Sequence, residues 1–501
     1  MEEPFRNPGV DWAALSPELI LLGASAFVLL GALFLPRTWR RAFSSVVAAL
    51  AFVAAAVAAA ILYGLDDDGR AIIADSIRRD RLAEIGQILV AGAGLLAVGV
   101  SFWERRAPES RVESDDERAG EYYALLLAAV AGMTFFVAAN NLMTLFLGLE
   151  WFSIALYILT AIGVERLRSL EAGLKYLIVG SFGSAILLFG SALVYGATGA
   201  LEFEEIARNA GDADNFFFVA GLAMILVGLA FKVSAAPFHM WTPDVYEGAP
   251  TPVTAFMSAA TKAAALILTL RVLVTAFPNE ADLWTIALAV IAAVSLAWGN
   301  LAALVQTDVK RLLAYSSVSH AGFLLIPIAA GNERGGYALL YYLIAYAAMS
   351  IGAFAIVAAR ERELARPVTM SNLANFFWER PFLGAAMTVF MFGFIGLPPA
   401  GLFLGKFYAF TAAYERGWTW LVIVGVVATV ISIYYYLGVV AAMWMRAPEP
   451  RVAPAGGSPP RDAALSATVL TALVVTVGSF VAADPLLDAM RDAVAFLPFP
   501  Y

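Results

Sequence analysis

Followed along its length, the chain alternates long apolar runs with short polar connections. Runs of helical length fall near 17–36, 42–64, 82–103, 122–139, 140–163, 170–195, 215–248, 251–277, 282–304, 308–330, 335–360, 381–412, 417–445 and 464–484. A bilayer is crossed by about 20 apolar residues in a helix. The pattern therefore predicts an all-α polytopic membrane protein of about fourteen transmembrane helices, numbered 1 to 14 below, in a single membrane domain over 1–501. Two runs, 215–248 and 381–412, are longer than a crossing needs, and each has proline near its middle: Pro237 in the first, Pro398 and Pro399 in the second. Proline removes a helical hydrogen bond and clashes with the preceding turn, so helices 7 and 12 are expected to be discontinuous.

Broken helices at matching places in two halves point to an inverted repeat with ion sites at the breaks. The expected division is 1–121 for the first three helices and their loops, 122–277 for a first repeat of helices 4–8, 282–445 for a second of helices 9–13, and 464–501 for the last helix and C-terminus. Almost no residue identity links the halves, so the repeat rests on spacing. An even number of helices places both termini on one side. The connections that face the cytoplasm with the termini outside hold 18 Lys and Arg, including Arg105, Arg106, Arg111, Arg451 and Arg461, against 10 in the opposite set. The positive-inside rule then puts both termini outside.

The polar residues inside the apolar runs narrow the picture. The five lysines are Lys175, Lys232, Lys262, Lys310 and Lys406; four lie within apolar runs, whereas the 27 arginines sit almost wholly in loops. Arginine stays charged under nearly all conditions, while a desolvated lysine can release its proton near neutral pH. A charge at a helix centre costs about 2.5–3.5 kcal/mol of insertion, so such lysines call for a function. Lys262 lies mid-span, and Lys232 and Lys406 lie beside the two breaks. The plain alternatives are a lysine held by backbone carbonyls for packing at Lys262, and helix ends at Lys232 and Lys406. Lys175 has Glu171 one turn earlier, an ordinary surface pair, and Lys310 beside Asp308 and Arg311 reads as structural.

Glu150 is the one acid of its run, about ten residues in. A carboxylate charged at that depth needs a cation nearby. Pairing with Lys232 would make Glu150 a modulator of that lysine; the alternative is a protonated acid bonded to a carbonyl. His320, among the serines of LLAYSSVSHAGFLL, is a candidate relay or a satisfied core histidine. His239 follows the Pro237 break, toward the cytoplasmic mouth with Lys175.

Composition then removes whole classes of function. With 61% hydrophobic and 14% charged residues, no separate soluble domain is visible. The acidic start MEEPFRNPGVDW lacks the basic region of a cleavable signal peptide, so the first run is expected to be retained. The absence of cysteine excludes thiolate-held iron–sulfur clusters and disulfides, and with only two histidines, His239 and His320, an in-chain bis-His haem is not expected. No glycine-rich phosphate loop is found, and the net charge of −8 implies no nucleic-acid partner. Neither cofactor nor metal is expected in this chain.

Four runs carry a resemblance: NNLMTLFLGLEWFS (140–153), FHMWTPDVYEGAPTPVTAFMSAATK (238–262), QTDVKRLLAYSSVSHAGF (306–323) and GLPPAGLFLGKFYAF (396–410). Through them the chain resembles the subunit N family of proton-pumping NADH–quinone oxidoreductase, respiratory complex I, one of three antiporter-like membrane subunit families. Lys406, where subunit M has glutamate, sets it apart from M; the short stretch after helix 14 sets it apart from subunit L. The resemblance implies fourteen helices, two inverted five-helix repeats with discontinuous helices 7 and 12, and a mid-membrane line of Glu150, Lys232, Lys262, His320 and Lys406 for proton transfer. It also implies partners among the sibling antiporter-like and small membrane subunits in a bacterial plasma membrane, with quinone, NADH, FMN and iron–sulfur clusters held by other subunits. An Mrp-type sodium/proton antiporter or a membrane hydrogenase subunit would share the fold and differ in activity, and a structural subunit with an inactive polar axis is the third reading.

Overall fold

The computed structural model describes residues 10–65, 69–102, 118–212, 215–447 and 462–501. Arg105, Arg106, Arg111, Arg451 and Arg461 of the orientation count lie outside them. The helices are 1 (Ser16–Phe34), 2 (Arg37–Gly64), 3 (Arg81–Ser101), 4 (Ala119–Val137), 5 (Leu142–Ala161), 6 (Leu167–Thr198), 7a (Asn215–Lys232) and 7b (Trp241–Gly248), and 8 (Thr251–Ala276). They continue as 9 (Ala281–Ala303), 10 (Val309–Ala330), 11 (Glu333–Leu364), 12a (Pro381–Ile395) and 12b (Gly401–Glu415), 13 (Thr419–Met445) and 14 (Ala463–Val481). Among the described residues, 13 helices are individually long and apolar enough to span a membrane. The broken pair 12a and 12b takes the remaining predicted place, so each predicted run is one helix or, for helices 7 and 12, a broken pair.

Several helix starts follow from short polar side chains that accept an otherwise unpaired backbone N–H. Asp80 accepts from the Ala83 amide at 2.8 Å, Asn141 from Thr144 at 2.7 Å, Asp308 from Arg311 at 3.0 Å and Asp462 from Leu465 at 2.9 Å. In a chain with few polar residues, these caps fix where the runs begin.

Burial is concentrated at the centre. The apolar window of helix 8 is 100% buried and those of helices 10 and 11 are 94% and 89% buried, against 28% for helix 1 and 33% for helices 13 and 14. The outer helices turn large apolar side chains such as Leu30, Leu33 and Ile61 outward, the arrangement a lipid-facing surface requires. Helices 9 and 10 approach closely through two glycines. A side chain at Gly299 would strike the backbone of Ser319, and one at Gly322 would lie 2.8 Å from the Ala292 carbonyl. That contact leaves the opposite face of helix 10 toward helices 8 and 11.

Several short elements outside the predicted runs were not foreseen. A hairpin of β1 (Arg70–Ile72) and β2 (Ile77–Arg79), antiparallel with Arg70 opposite Arg79, links helices 2 and 3. A short helix, Phe203–Asn209, follows helix 6. Beyond helix 14, Ala483–Val494 forms an amphipathic helix that buries Leu487, Met490, Ala493 and Val494. Arg271 is an exception to the arginines that sit almost wholly in loops: it is fully buried near the end of helix 8 and forms a two-pronged ion pair with Asp80 at 2.5 and 2.6 Å. Asp80 therefore both caps helix 3 and neutralises helix 8.

Candidate functional site

Helix 7 ends its first half at Lys232 and resumes at Trp241. Between them Ser234 adopts φ 64°, Pro237 follows a cis peptide bond, and the Ala236 amide donates to Ser295 Oγ of helix 9 at 2.8 Å. The break thus has its own hydrogen bonds, including one into the neighbouring helix. Lys232 stands at the C-terminal end of 7a, where exposed carbonyls favour a cation. Its ammonium donates to Ser153 Oγ at 2.7 Å and to Tyr176 OH at 3.4 Å, and sits 4.4 Å from the centre of the Phe152 ring. Trp241, the first residue of 7b, stacks on Tyr176 at 4.6 Å. Both sides of the break therefore meet at one tyrosine.

Glu150 lies one turn before Ser153 on helix 5. It makes no ion pair with Lys232, and its Oε1 is buried without a hydrogen-bond partner. Ser153, one turn beyond Glu150 on helix 5, takes the ammonium instead. The expected direct Glu150–Lys232 pair is therefore absent from this structure, where the lysine is held by Ser153.

The second break has a different arrangement. Helix 12a ends at Ile395, and Gly396 adopts φ 92°, a conformation favouring glycine. Pro399 follows a cis peptide bond, and 12b begins at Gly401. Lys406, one turn into 12b, reaches back so that its ammonium donates to the Phe394 and Ile395 carbonyls, each at 3.0 Å. A side chain on residue 396 would come within 3.0 Å of Lys406 Cδ. Glycine therefore serves both the turn and the lysine. Phe323 of helix 10 covers the ammonium, its ring centre 4.1 Å away.

Between the breaks lie Lys262 and His320. Lys262 Nζ donates to Ser317 Oγ at 2.7 Å and to the Ser317 carbonyl, and Ser317 Oγ is also bonded to Tyr346 OH at 2.9 Å. One turn further on, His320 Nδ1 pairs with Tyr342 OH at 2.7 Å and Nε2 with Tyr436 OH at 3.0 Å; Tyr436 OH also bonds Ser316 Oγ. Imidazole nitrogens with a hydroxyl on each side can pass a proton from one to the other. The His320 and Tyr346 ring centres are 5.1 Å apart, so the two clusters touch. On its other side His320 meets Phe394, centre to centre 5.2 Å. Phe394 and Phe323 thus separate the histidine from Lys406.

One contrast sorts the five lysines. Lys175 pairs with Glu171 and Asp244, each at 2.8 Å, and Lys310 lies 4.0 Å from Glu361 while donating to the Ala249 carbonyl at 2.7 Å. Lys232, Lys262 and Lys406 are buried at 3%, 1% and 5% exposure, and none has a carboxylate within ion-pair distance among the described residues. Neutral hydroxyls, carbonyls and aromatic faces hold them instead. Neither a carboxylate nor a surface position fixes the charge of these three lysines, which sets them apart from Lys175 and Lys310.

Residues 139–432 match the family described as NADH:quinone oxidoreductase/Mrp antiporter, TM. The chain is 38% identical over 505 residues to NADH-quinone oxidoreductase subunit N 2 of Roseiflexus castenholzii, covering 97% of each chain. The chain belongs to the subunit N family of NADH-quinone oxidoreductase. Among solved structures, a chain of respiratory complex I from Thermus thermophilus superimposes with a TM-score of 0.79 at 32% identity, covering 95% of this chain and 100% of that one. A chain of the Mrp complex from Dietzia sp. superimposes at 0.82 with 20% identity, covering 96% and 98%, a likeness of fold alone. Like the fold of this family, the structure is a multi-pass helical membrane protein.

Of the residues singled out from sequence in this subunit N family member, Lys262 and His320 fall in adjoining clusters, while Lys232 and Lys406 form separate ones at the breaks. His239 is buried in the first break, edge-on to Trp298 at 5.6 Å, and its Nδ1 lacks a partner. Lys175 lies at the margin and touches neither Lys232 nor Lys262. Sequence reasoning missed the hydroxyls that hold the line: Ser153, Tyr176, Ser317, Tyr342, Tyr346 and Tyr436. Only the serines beside His320 gave any signal.

Proposed function

We propose that this chain is a proton-translocating membrane subunit of an NADH–quinone oxidoreductase. The observation that carries the reading is the set of three buried, carboxylate-free lysines, with Lys262 and His320 joined to hydroxyls between the two helix breaks. Protons enter from the cytoplasm, with Lys175 and His239 on the entry side, and reach Lys262. Lys232 exchanges with Lys262 under the field of Glu150, and His320 carries protons on toward Lys406 for release outside. The path has interruptions between Lys232 and Lys262 and at Phe394 and Phe323, and transient water at these points completes it.

Quinone reduction in neighbouring subunits drives the cycle by moving Glu150 and Lys232 relative to Ser153. NADH, FMN, iron–sulfur clusters and quinone belong to those subunits, and this chain does no redox chemistry of its own. Helices 4–8 and 9–13 act as two inverted repeats, each broken in its fourth helix. Its partners are the sibling antiporter-like and small membrane subunits, in a bacterial inner membrane with both termini outside. The test is NADH-driven acidification of vesicles holding the whole complex. Lys406→Ala should abolish most pumping in assembled complexes. Wild-type pumping in that variant sinks the relay, and sodium-dependent exchange without NADH would favour an antiporter.

A further inference from the structure

Helices 3 and 14 close on each other at one end and part toward the other. At the closed end a side chain on Gly99 of helix 3 would strike Thr468 Oγ of helix 14. Where they part, the amphipathic helix Ala483–Val494 lies across the gap, fastened by Tyr63 of helix 2, whose hydroxyl donates to the Ala489 carbonyl at 3.2 Å. Helix 11 forms the floor with Ile344, Ala347, Ala348 and Ile351, and it meets helix 14 at Gly352, where a side chain would lie 2.9 Å from Ala472 Cβ. These walls bound a cleft of about 460 Å³. Among its described lining residues, Tyr63 and Thr471 are the polar ones and the rest are apolar.

The cleft opens sideways into the hydrocarbon. Its lining residue Thr471 is exposed and Leu89, Leu96 and Ile344 are part-exposed, all within membrane spans. Beside Thr471, Leu470 and Val474 of helix 14 face outward at 53% and 61% exposure. Gly92 of helix 3 faces the cleft, where a side chain added to it would have no atom within 4 Å, whereas one on Gly94 would lie 2.7 Å from the Phe52 ring. From Ile85 to Leu96 helix 3 rises about 16 Å, half of the ~30 Å hydrocarbon core. An apolar cavity of about 150 Å³ takes one benzene, six carbons, so this one takes about eighteen. A helix of the same length, about 10 Å across, fills about 1,250 Å³. Length and volume thus select a single hydrocarbon chain that reaches from one membrane face to the middle, not a protein helix. The parts of the sequence outside the described residues, 1–9, 66–68, 103–117, 213–214 and 448–461, are polar or proline-rich and supply no such chain.

We propose that this cleft seats one acyl chain of a membrane phospholipid from the leaflet on the side of the C-terminal helix. Tyr63, with the Arg81 guanidinium 5.6 Å from its ring centre, stands at the headgroup level of that face. The glycerol therefore lies beside the C-terminal helix and the second acyl chain stays in the bilayer. An apolar gap left unfilled forfeits contacts along all its walls, and a bilayer lipid fills this one without leaving hydrocarbon. The seat holds whether or not the lysine line carries protons, but it stands behind that line. Ile344, Ala348 and Ile351 share one face of helix 11, while Tyr342 and Tyr346, which bond His320 and Ser317, occupy the opposite face. The bound chain thus backs the helix that supplies two of the line's hydroxyls.

The test uses the intact complex in phosphatidylethanolamine nanodiscs doped with phosphatidylcholine that carries a diazirine midway along one acyl chain. After irradiation, labelled residues are mapped by mass spectrometry. In wild type the label should reach Ala347, Ala348 and Ile351, which at 5%, 4% and 1% exposure are shielded from bulk lipid, as well as the outward Leu470 and Val474. Gly92→Trp puts about ten side-chain atoms into a space for about eighteen carbons. Label on helix 11 should then fall about tenfold or more, while label on Leu470 and Val474 stays. Gly23→Trp, at a helix 1 glycine that likewise has no atom within 4 Å of an added side chain, should change neither. Gly92→Leu should give a smaller fall and serves if the tryptophan variant does not assemble. Absence of label from helix 11 in wild type, or equal label there in wild type and the Gly92 variants, overturns the proposal. So does displacement of the label by an isoprenoid quinone at concentrations where unlabelled phospholipid has no effect, which marks a quinone-tail seat. Crosslinking to another subunit of a photoreactive leucine placed in exchange for Gly92 overturns it as well, because a protein then fills the cleft.

Discussion

Lys262 allows proton exchange to be separated from charge and from folding. Its ammonium is fully buried in helix 8 and held by Ser317 Oγ at 2.7 Å and the Ser317 carbonyl. Replacing it with methionine removes two charge-assisted bonds of about 1.5–3 kcal/mol each. It also removes a burial cost of about 2.5–3.5 kcal/mol on the insertion scale. The bonds total about 3–6 kcal/mol against about 2.5–3.5 kcal/mol recovered, a net loss of at most about 3.5 kcal/mol, and Ser317 Oγ keeps Tyr346 OH at 2.9 Å. Lys262→Met should therefore still assemble, at somewhat reduced yield, while losing most proton pumping per assembled complex. Lys262→Arg provides the second arm, because a guanidinium keeps the charge and cannot release its proton. If the lysine's role is exchange, both variants pump poorly; if its role is electrostatic, arginine restores pumping. The assay is protons moved per NADH oxidised in vesicles containing the whole complex, normalised to assembled complex. Wild-type stoichiometry in Lys262→Arg would refute the exchange role, and wild-type stoichiometry in both would remove Lys262 from the path.

Three further predictions follow from the same contacts. Tyr436→Phe leaves His320 with one hydroxyl and Ser316 with none, and the loss of about 1–2 kcal/mol should slow the pumping-limited rate about five- to thirtyfold; an unchanged steady-state rate would exclude Tyr436 from the relay. Ser153→Ala frees Lys232 from its shortest bond and brings it under Glu150 directly, so the double variant Ser153→Ala with Glu150→Gln should differ from the sum of the singles in a pumping assay; strict additivity would separate the two residues. Asp80→Asn strands a buried guanidinium, which should cost about 3–5 kcal/mol and lower the midpoint of thermal unfolding of the purified complex, with Arg271→Met in the same chain recovering part of it. No recovery in the double variant would mean that Asp80 acts mainly as the cap of helix 3.

The membrane helices were legible because hydropathy at helical length is a strong signal, and the two breaks because proline stood at the middle of runs too long for one crossing. Lys232, Lys262 and Lys406 stood out because a charged residue within an apolar run is rare. Their partners did not, since a tyrosine or serine in such a run is ordinary and its distance along the chain, as between Lys232 and Ser153, says nothing about contact. Ala483–Val494 escaped because only one face is apolar, so its average hydropathy resembles that of a loop. Asp80 and Arg271 escaped for a related reason: each lies near a helix end, where charges are common, and only the fold brings them together.

The pair Phe394 and Phe323 carries a consequence for energy conservation. A membrane under potential pushes each positive charge back across with about 2.3 kcal/mol per 100 mV, and an unbroken wire of hydroxyls from face to face would drain that store as heat. Two aromatic rings, Phe394 and Phe323, stand between His320 and Lys406, where they would interrupt such a wire. If protons pass along this line as proposed, rings that exclude water whenever the drive is absent would let the complex stand idle in an energised cell without short-circuiting the gradient it built.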